Sequence, residues 1–307
     1  MATSLDFCGL HLSSPVVMLS GCVGYGDEYT RIDEFSNDDA GALILKGAYA
    51  SPRPGNQPHR IAETASGLLN SIGLQNPGAE KIINEILPDQ KTSAHIFANV
   101  CGSSIEEYAE VTKAFNLSPV SAMEINISCP NVKRGGVEFG NNPEMSQKVI
   151  RACRQETDKP IIAKLSPNQT SIAESAEACI AGGADGLSVI NTVMGMAIDI
   201  KKRAPVLGNT QGGLSGPAIK PIALLSVFKV YKVASNHQVP IIGQGGIYSP
   251  SDAIEFILAG ATAVGLGTGL FYDPFLIKKI NAYLIKYMKE NGFDTIDQMV
   301  GLAHKTS

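Results

Sequence analysis

The sequence predicts an α/β protein: one (β/α)8 TIM barrel, a single domain over residues 1–307, with its active site at the C-terminal ends of the strands. Three observations carry that expectation. Short β-rich apolar runs alternate with helix-like stretches along the whole chain, no linker, charge block or low-complexity tract divides it, and the apolar runs repeatedly end in a polar residue. Strands separated by helices point to parallel pairing, and 307 residues suit one barrel. Periodicity alone leaves a doubly wound open sheet as the alternative, because it does not say whether the sheet closes.

The strand candidates are residues 15–19, 43–46, 96–100, 122–126, 161–165, 187–191, 239–243 and 263–266. Between them, apolar residues recur at helical spacing over 105–115, 145–156, 172–181 and 219–233. Lys46, Asn99, Asn126, Lys164, Asn191 and Gln244 each end or directly follow one of the apolar runs. A buried polar group is costly without a partner, so these endings call for a shared explanation. In a parallel barrel all C-terminal strand ends face one mouth, where the active site is built. Two lysines and several carboxamides there would form a donor-rich site for an anionic, planar ligand.

The loops expected at that mouth are rich in glycine, of which the chain has 31, about a tenth of its residues against a typical ~7%. Residues 20–26 (SGCVGYG) follow the first strand, and 70–77 (NSIGLQNP) lie in the long segment after the second. Gly73 in that segment would let successive backbone N–H groups converge on a carboxylate. Residues 243–247 (GQGGI) and 265–269 (GLGTG) follow the last two strands, the usual phosphate site of such barrels. No G-x-G-x-x-G sits in a strand–helix context early in the chain, so no dinucleotide fold is expected.

The most informative segment is 126–131 (NISCPN), between the apolar run 122–125 and residues 132–136 (VKRGG). A thiol and two carboxamides leave a strand end together, beneath a glycine-hinged segment able to close over them. A cysteine placed that way, Cys129, suits proton transfer or nucleophilic attack better than packing.

Composition removes other classes. Hydrophobic residues make up 44% and charged residues 18%. The net charge of -4 and pI near 5.8 give no electrostatic case for nucleic acid. No apolar run approaches the ~18 residues a membrane span needs, and residues 1–6 (MATSLD) lack the features of a secretion signal. A cytoplasmic location is expected. Cys8, Cys22, Cys101, Cys129, Cys153 and Cys179 never occur two residues apart, which argues against a local zinc or iron–sulfur cage. No metal site is expected. His11, His59, His95, His237 and His304 show no paired spacing and are expected to be structural or superficial. Packing is the expected role of Cys22, and a buried partner such as a lysine would account for Glu124 without catalysis.

These motifs, together with 164–168 (KLSPN), resemble the dihydroorotate dehydrogenases, and the match runs through nearly the whole chain. Cysteine rather than serine at position 129 is similar to the soluble class 1 enzymes rather than the membrane-associated class 2. Within class 1, 190–192 (INT) leading to 195–199 (GMAID), 131–136 (NVKRGG) and 213–221 (GLSGPAIKP) resemble the type 1B catalytic subunit. The resemblance implies an FMN-binding barrel that oxidises dihydroorotate to orotate in pyrimidine (UMP) biosynthesis. It also implies a homodimer within a heterotetramer, whose electron-transfer subunit carries FAD and a [2Fe–2S] cluster and passes electrons to NAD. Asp199 is then expected to shape a loop. Gly47 stands where many relatives carry a small side chain, so a side-chain contact to the flavin is expected to be missing there.

Roles follow from the same resemblance. Cys129 would take the proton from substrate C5 while a hydride leaves C6 for N5 of FMN, with residues 132–140 closing over the site. Lys164 would stabilise negative charge at the N1/C2 side of the flavin, and Lys46 would lie between flavin and substrate. Asn70, Asn126, Asn131, Asn191 and Thr192, with backbone amides of Ile72, Gly73 and Leu74, would hold the pyrimidine and its carboxylate. FMN would meet Ser20, Gly21, Lys46, Asn99, Asn126, Lys164, Ile190 and Gly216, with Gly245, Gly246, Gly267 and Thr268 at its phosphate. Two other readings stay open: a class 1A-like enzyme using fumarate or another soluble acceptor, and a non-catalytic barrel that binds a phosphorylated ligand.

Overall fold

Runs rich in Val, Ile, Leu and Ala that are buried on both faces make the inner wall of the molecule. They form eight parallel strands: β1 Val16–Met18, β2 Ala42–Ile44, β3 His95–Val100, β4 Ala122–Ile125, β5 Ile161–Leu165, β6 Gly186–Val189, β7 Ile241–Gln244 and β8 Ala263–Leu266. Each pairs with the next, and β8 pairs with β1, so the sheet closes into a barrel and the open-sheet alternative falls. This computed structural model describes residues 3–128 and 139–305. Several strands stop short of the expected run. Lys46, Asn126 and Asn191 lie just past β2, β4 and β6, although Asn126 N–H still donates to Val100 O and Asn191 N–H to Leu165 O, both at 2.9 Å. The ladder thus carries these polar side chains into the mouth.

Outside the barrel lie α1 Ile105–Asn116, α2 Pro143–Arg154, α3 Ile172–Gly182, α4 Lys220–Ala234, α5 Pro250–Ala259 and α6 Leu276–Asn291. Local chemistry sets their starts. Ser104, Asn142 and Ser171 cap α1, α2 and α3, and Ser249 forms a capping box with Asp252 at α5. Helix α2 begins two residues earlier than its apolar spacing suggests, because Asn142 caps it and Pro143 fits its first turn. Its buried residues Ser146, Val149, Ile150 and Cys153 form one stripe against the sheet. Among the described residues no helix is long and apolar enough to cross a membrane.

Two excursions break the strand–helix rhythm at the mouth. Ile61–Thr64 and Gly67–Asn70, inserted after β2, pair with Gly212–Ser215 and Val193–Gly195, inserted after β6. The resulting four-stranded antiparallel sheet stands over the C-terminal strand ends. At the other end, the hairpin Leu5–Phe7/Leu10–Leu12 plugs the barrel. Phe7 is fully buried against Gly186, the first residue of β6, and His95 at the start of β3 bridges Ser121 Oγ and His11 O. Removing the plug should therefore loosen the barrel without touching the mouth. Phe7→Ala is expected to cost about 3–5 kcal/mol, read as a lower urea midpoint with ligand binding at the mouth retained.

Candidate active site

The mouth holds a cavity of about 250 Å³ between the strand ends and the antiparallel sheet. Its floor is polar and belongs to the barrel interior. Glu124 on β4 is fully buried; its Oε1 accepts from Asn99 Nδ2 on β3 at 2.5 Å and from Lys164 Nζ on β5 at 3.3 Å. Ser188 Oγ on β6 donates to Oε2 at 2.7 Å. Lys164 thus has its acid partner and still lines the cavity.

Lys46 is held differently. Its titratable neighbours among the described residues are Lys164 and the thiols Cys101 and Cys22, with no carboxylate among them, and burial holds its pKa below the ordinary lysine value. Cys22 also lines the cavity, but burial pushes its thiol up to about 11 despite the two lysines, so it stays protonated at neutral pH. Burial likewise raises Cys153 and Cys179 to about 12, and Cys8 further still. None of these four thiols is suited to act as a base.

The carboxamides are tied into one network. Asn191 Nδ2 donates to Ser128 Oγ at 2.5 Å, and Ser128 Oγ donates to Asn126 Oδ1 at 2.8 Å. Asn191 Oδ1 accepts from Thr192 N–H, and Asn168 spans Thr192 O and Met194 N–H, which explains the asparagine of the 164–168 motif. Asn70 Nδ2 reaches Gly213 O across the antiparallel sheet. Asn76 pins the rest of the 70–77 turn through Leu74 O and Gly78 N–H. Gly73 and Leu74 both take positive φ there, 75° and 53°.

On the far wall, Gly245 and Gly246 follow β7 with φ of 123° and 81°. A Cβ on Gly246 would sit 2.8 Å from both Gly216 O and the backbone N of Lys220 at the start of α4. This glycine cradle beside a helix N-terminus suits a phosphate. The Lys220 ammonium is turned to Asp252 and Glu255, at 2.6 and 3.0 Å. Gln244 Nε2 donates to Ile190 O at 2.9 Å, while its buried Oε1 and the hydroxyl of Ser71 find no partner among the described residues, although both residues line the cavity. A ligand with a phosphate, ring carbonyls and hydroxyls would fit such a lining.

The structure gathers the expected residues around this one cavity: Ser20, Gly21, Lys46, Asn70, Ile72, Gly73, Leu74, Asn99, Asn126, Lys164, Ile190, Asn191, Thr192, Gly216, Gly245, Gly246, Gly267 and Thr268. Cys129 and Asn131 lie outside the described residues, as does residues 132–138 of the expected closing segment. At Gly47 a Cβ would meet Asn99 Oδ1 at 2.7 Å and Cys101 Sγ at 2.9 Å, so the neighbours fill the space a side chain would need. Asp199 accepts from the backbone of Lys201 and Lys202 and shapes its loop. No histidine lines the cavity. Sequence reasoning missed Ser71, Met194, Asn209, Gln211, Tyr248 and Phe271 in the lining. The adjacency of Ser71 to Asn70 and of Tyr248 to the GQGGI motif could have flagged two of them.

The family model for dihydroorotate dehydrogenase matches residues 2–288. This chain belongs to the dihydroorotate dehydrogenase family. It is 47% identical over 297 residues to the "Dihydroorotate dehydrogenase B (NAD(+)), catalytic subunit" of Desulforamulus reducens, covering 96% of each chain. The protein of the same name from Geobacter sulfurreducens is 47% identical over 301 residues, with 97% of each chain covered. A crystal structure of the dihydroorotate dehydrogenase of Eimeria tenella in complex with ferulenol shares the fold, with a TM-score of 0.81 and 22% identity over 99% of this chain and 89% of that one.

For this member of the family, the lack of a carboxylate beside Lys46 among the described residues has a measurable consequence. Its folded-state pKa lies below the ordinary 10.5, so in the window between those two values the unfolded chain binds the proton more readily. Stability therefore rises with pH through that window, and the penalty is full below it. Lys46→Met is expected to raise Tm of the ligand-free protein by about 2–4 °C at neutral pH. Its advantage over wild type should shrink as pH approaches 10.5; thermal melts across pH check both.

Proposed function

We infer that this protein oxidises dihydroorotate to orotate in pyrimidine biosynthesis, as an NAD-linked type 1B catalytic subunit. The observation that carries the reading is a single cavity that brings Lys46, Lys164, a network of asparagines and a glycine phosphate cradle together, at the strand end that leads to Cys129. Bound FMN would supply the hydride acceptor. Gly245, Gly246, Gly267 and Thr268 would hold its phosphate, Gly216 would contact the cofactor beside them, and Lys164 would sit where negative charge gathers on reduction. Lys46 offers its charge to the anionic substrate. Asn70, Asn126, Asn131, Asn191 and Thr192, with the amides of Ile72, Gly73 and Leu74, orient the ring and its carboxylate.

Cys129 takes the C5 proton as the hydride leaves C6. Ser128, its neighbour in the chain, is held by Asn126 and Asn191. Cys8, Cys22, Cys153 and Cys179 are poorly suited to that role, because burial raises their pKa values. Electrons would then pass to a partner subunit carrying FAD and a [2Fe–2S] cluster and on to NAD, in a cytoplasmic heterotetramer built on a homodimer.

An anaerobic titration of the purified protein with dihydroorotate, followed by flavin absorbance, tests the reading. Bleaching of bound FMN is expected; a yellow protein that stays yellow removes the substrate assignment. Cys129→Ala should slow that bleaching by about 10²–10⁴-fold with FMN content unchanged, and full retention of the rate would remove the thiol as base. Gly246→Ala combines positive φ with a close approach to Gly216 and Lys220, and should weaken FMN binding roughly tenfold or more, measured by fluorescence of released flavin.

A further inference from the structure

Glu124 has no task in the reaction just described. It lies on β4, five residues before Cys129, and does not itself line the cavity. Its three donors come from three other strands: Asn99 on β3, Lys164 on β5 and Ser188 on β6. Of these only Asn99 and Lys164 reach the cavity. A neutral amide of the same shape could satisfy the same partners, because its oxygen accepts from Lys164 and Asn99 and its NH₂ donates to Ser188 Oγ. What the carboxylate adds is charge. Placed 3.3 Å from Lys164 Nζ in a buried setting, it opposes much of the positive field that the ammonium directs into the cavity.

We propose that Glu124 is a positioning residue that sets the reduction potential of the bound flavin through Lys164. It fixes the ammonium at one point of the floor and offsets part of its charge. Two electrons and a proton arrive on the flavin from dihydroorotate, and both electrons must leave for the partner subunit. An unopposed lysine would hold the reduced flavin too firmly for that second step. The proposal rests on the flavin reading above, and its test separates the two.

The midpoint potential of the FMN-loaded protein is measured by anaerobic titration against a redox dye, which needs no substrate. Glu124→Gln is expected to raise the ratio of reduced to oxidised flavin at a fixed potential roughly tenfold or more, a positive shift of about 30 mV for a two-electron couple. Reoxidation should slow while dihydroorotate still bleaches the flavin. Ser188→Ala keeps the carboxylate but removes one donor from it, so its charge weighs more on Lys164 and the potential should move the other way. A yellow, folded Glu124→Gln with an unchanged or lower potential overturns the proposal and leaves the dihydroorotate reading intact. If that variant does not fold, Ser188→Ala decides alone, and an unchanged or raised potential overturns the proposal. Wild-type flavin that dihydroorotate never reduces overturns the functional reading, while the dye titration still decides the role of Glu124. Failure to bind FMN at all overturns both.

Discussion

The buried carboxylate of Glu124 is the constraint from which the mouth of the barrel is built. Taking such a charge out of water carries an effective penalty of several kcal/mol, about 3–5 kcal/mol being lost when one partner of a buried pair is removed. The chain meets it by converging an amide, an ammonium and a hydroxyl on two oxygens. Because those donors sit on β3, β5 and β6, one side chain fixes four neighbouring strands at the level just beneath the cavity. Strand side chains alternate between faces, so the parity that turns Glu124 inward also turns Asn126 inward, two residues on. Ser128, two further, joins the same hydrogen-bonded cluster with Asn191. The order of the floor is thereby passed up the chain to the residue before Cys129.

How much of this was legible in the sequence depends on burial. All eight barrel strands lie within or beside the expected runs, because burial on both faces leaves a continuous β-rich signature. The polar endings were legible for the complementary reason: Lys46, Asn99, Asn126, Lys164, Asn191 and Gln244 interrupt apolar runs where only a shared, solvated mouth excuses them. The antiparallel sheet over that mouth was not legible. Its strands are three or four residues long and half exposed, and they are rich in glycine, so they leave no apolar run. Their pairing joins Asn70 to Gly213, 143 positions apart, a register no local pattern can announce. Met194, Asn209 and Gln211 enter the cavity lining by that route.

The cysteines show what geometry adds to a motif. In the sequence Cys129 stands out by its setting between a strand end and a glycine pair, whereas Cys153 and Cys179 fall at helical spacing. The structure gives the physical counterpart. Cys153 and Cys179 face inward from α2 and α3, where burial raises their pKa values. Cys101 donates to Asn99 Oδ1 and so supports the floor network. Cys22 touches the cavity yet is held protonated by burial, two nearby lysines notwithstanding. Proximity to positive charge is therefore not sufficient to activate a thiol; its desolvation must also be small.

The two lysines divide one electrostatic task. Lys164 has a fixed carboxylate beneath it, so its position is set by the barrel and its net field is moderated whether or not a ligand is bound. Lys46 has no such partner among the described residues, and its folded state bears the desolvation of an ammonium that burial, with Lys164 nearby, disfavours. An anion entering the cavity would provide the missing counter-charge, so relief of that penalty contributes to binding rather than to folding. On the function proposed above, the paired lysine would hold a resident cofactor at a constant potential, and Lys46 would reserve its field for a substrate that must arrive, react and leave.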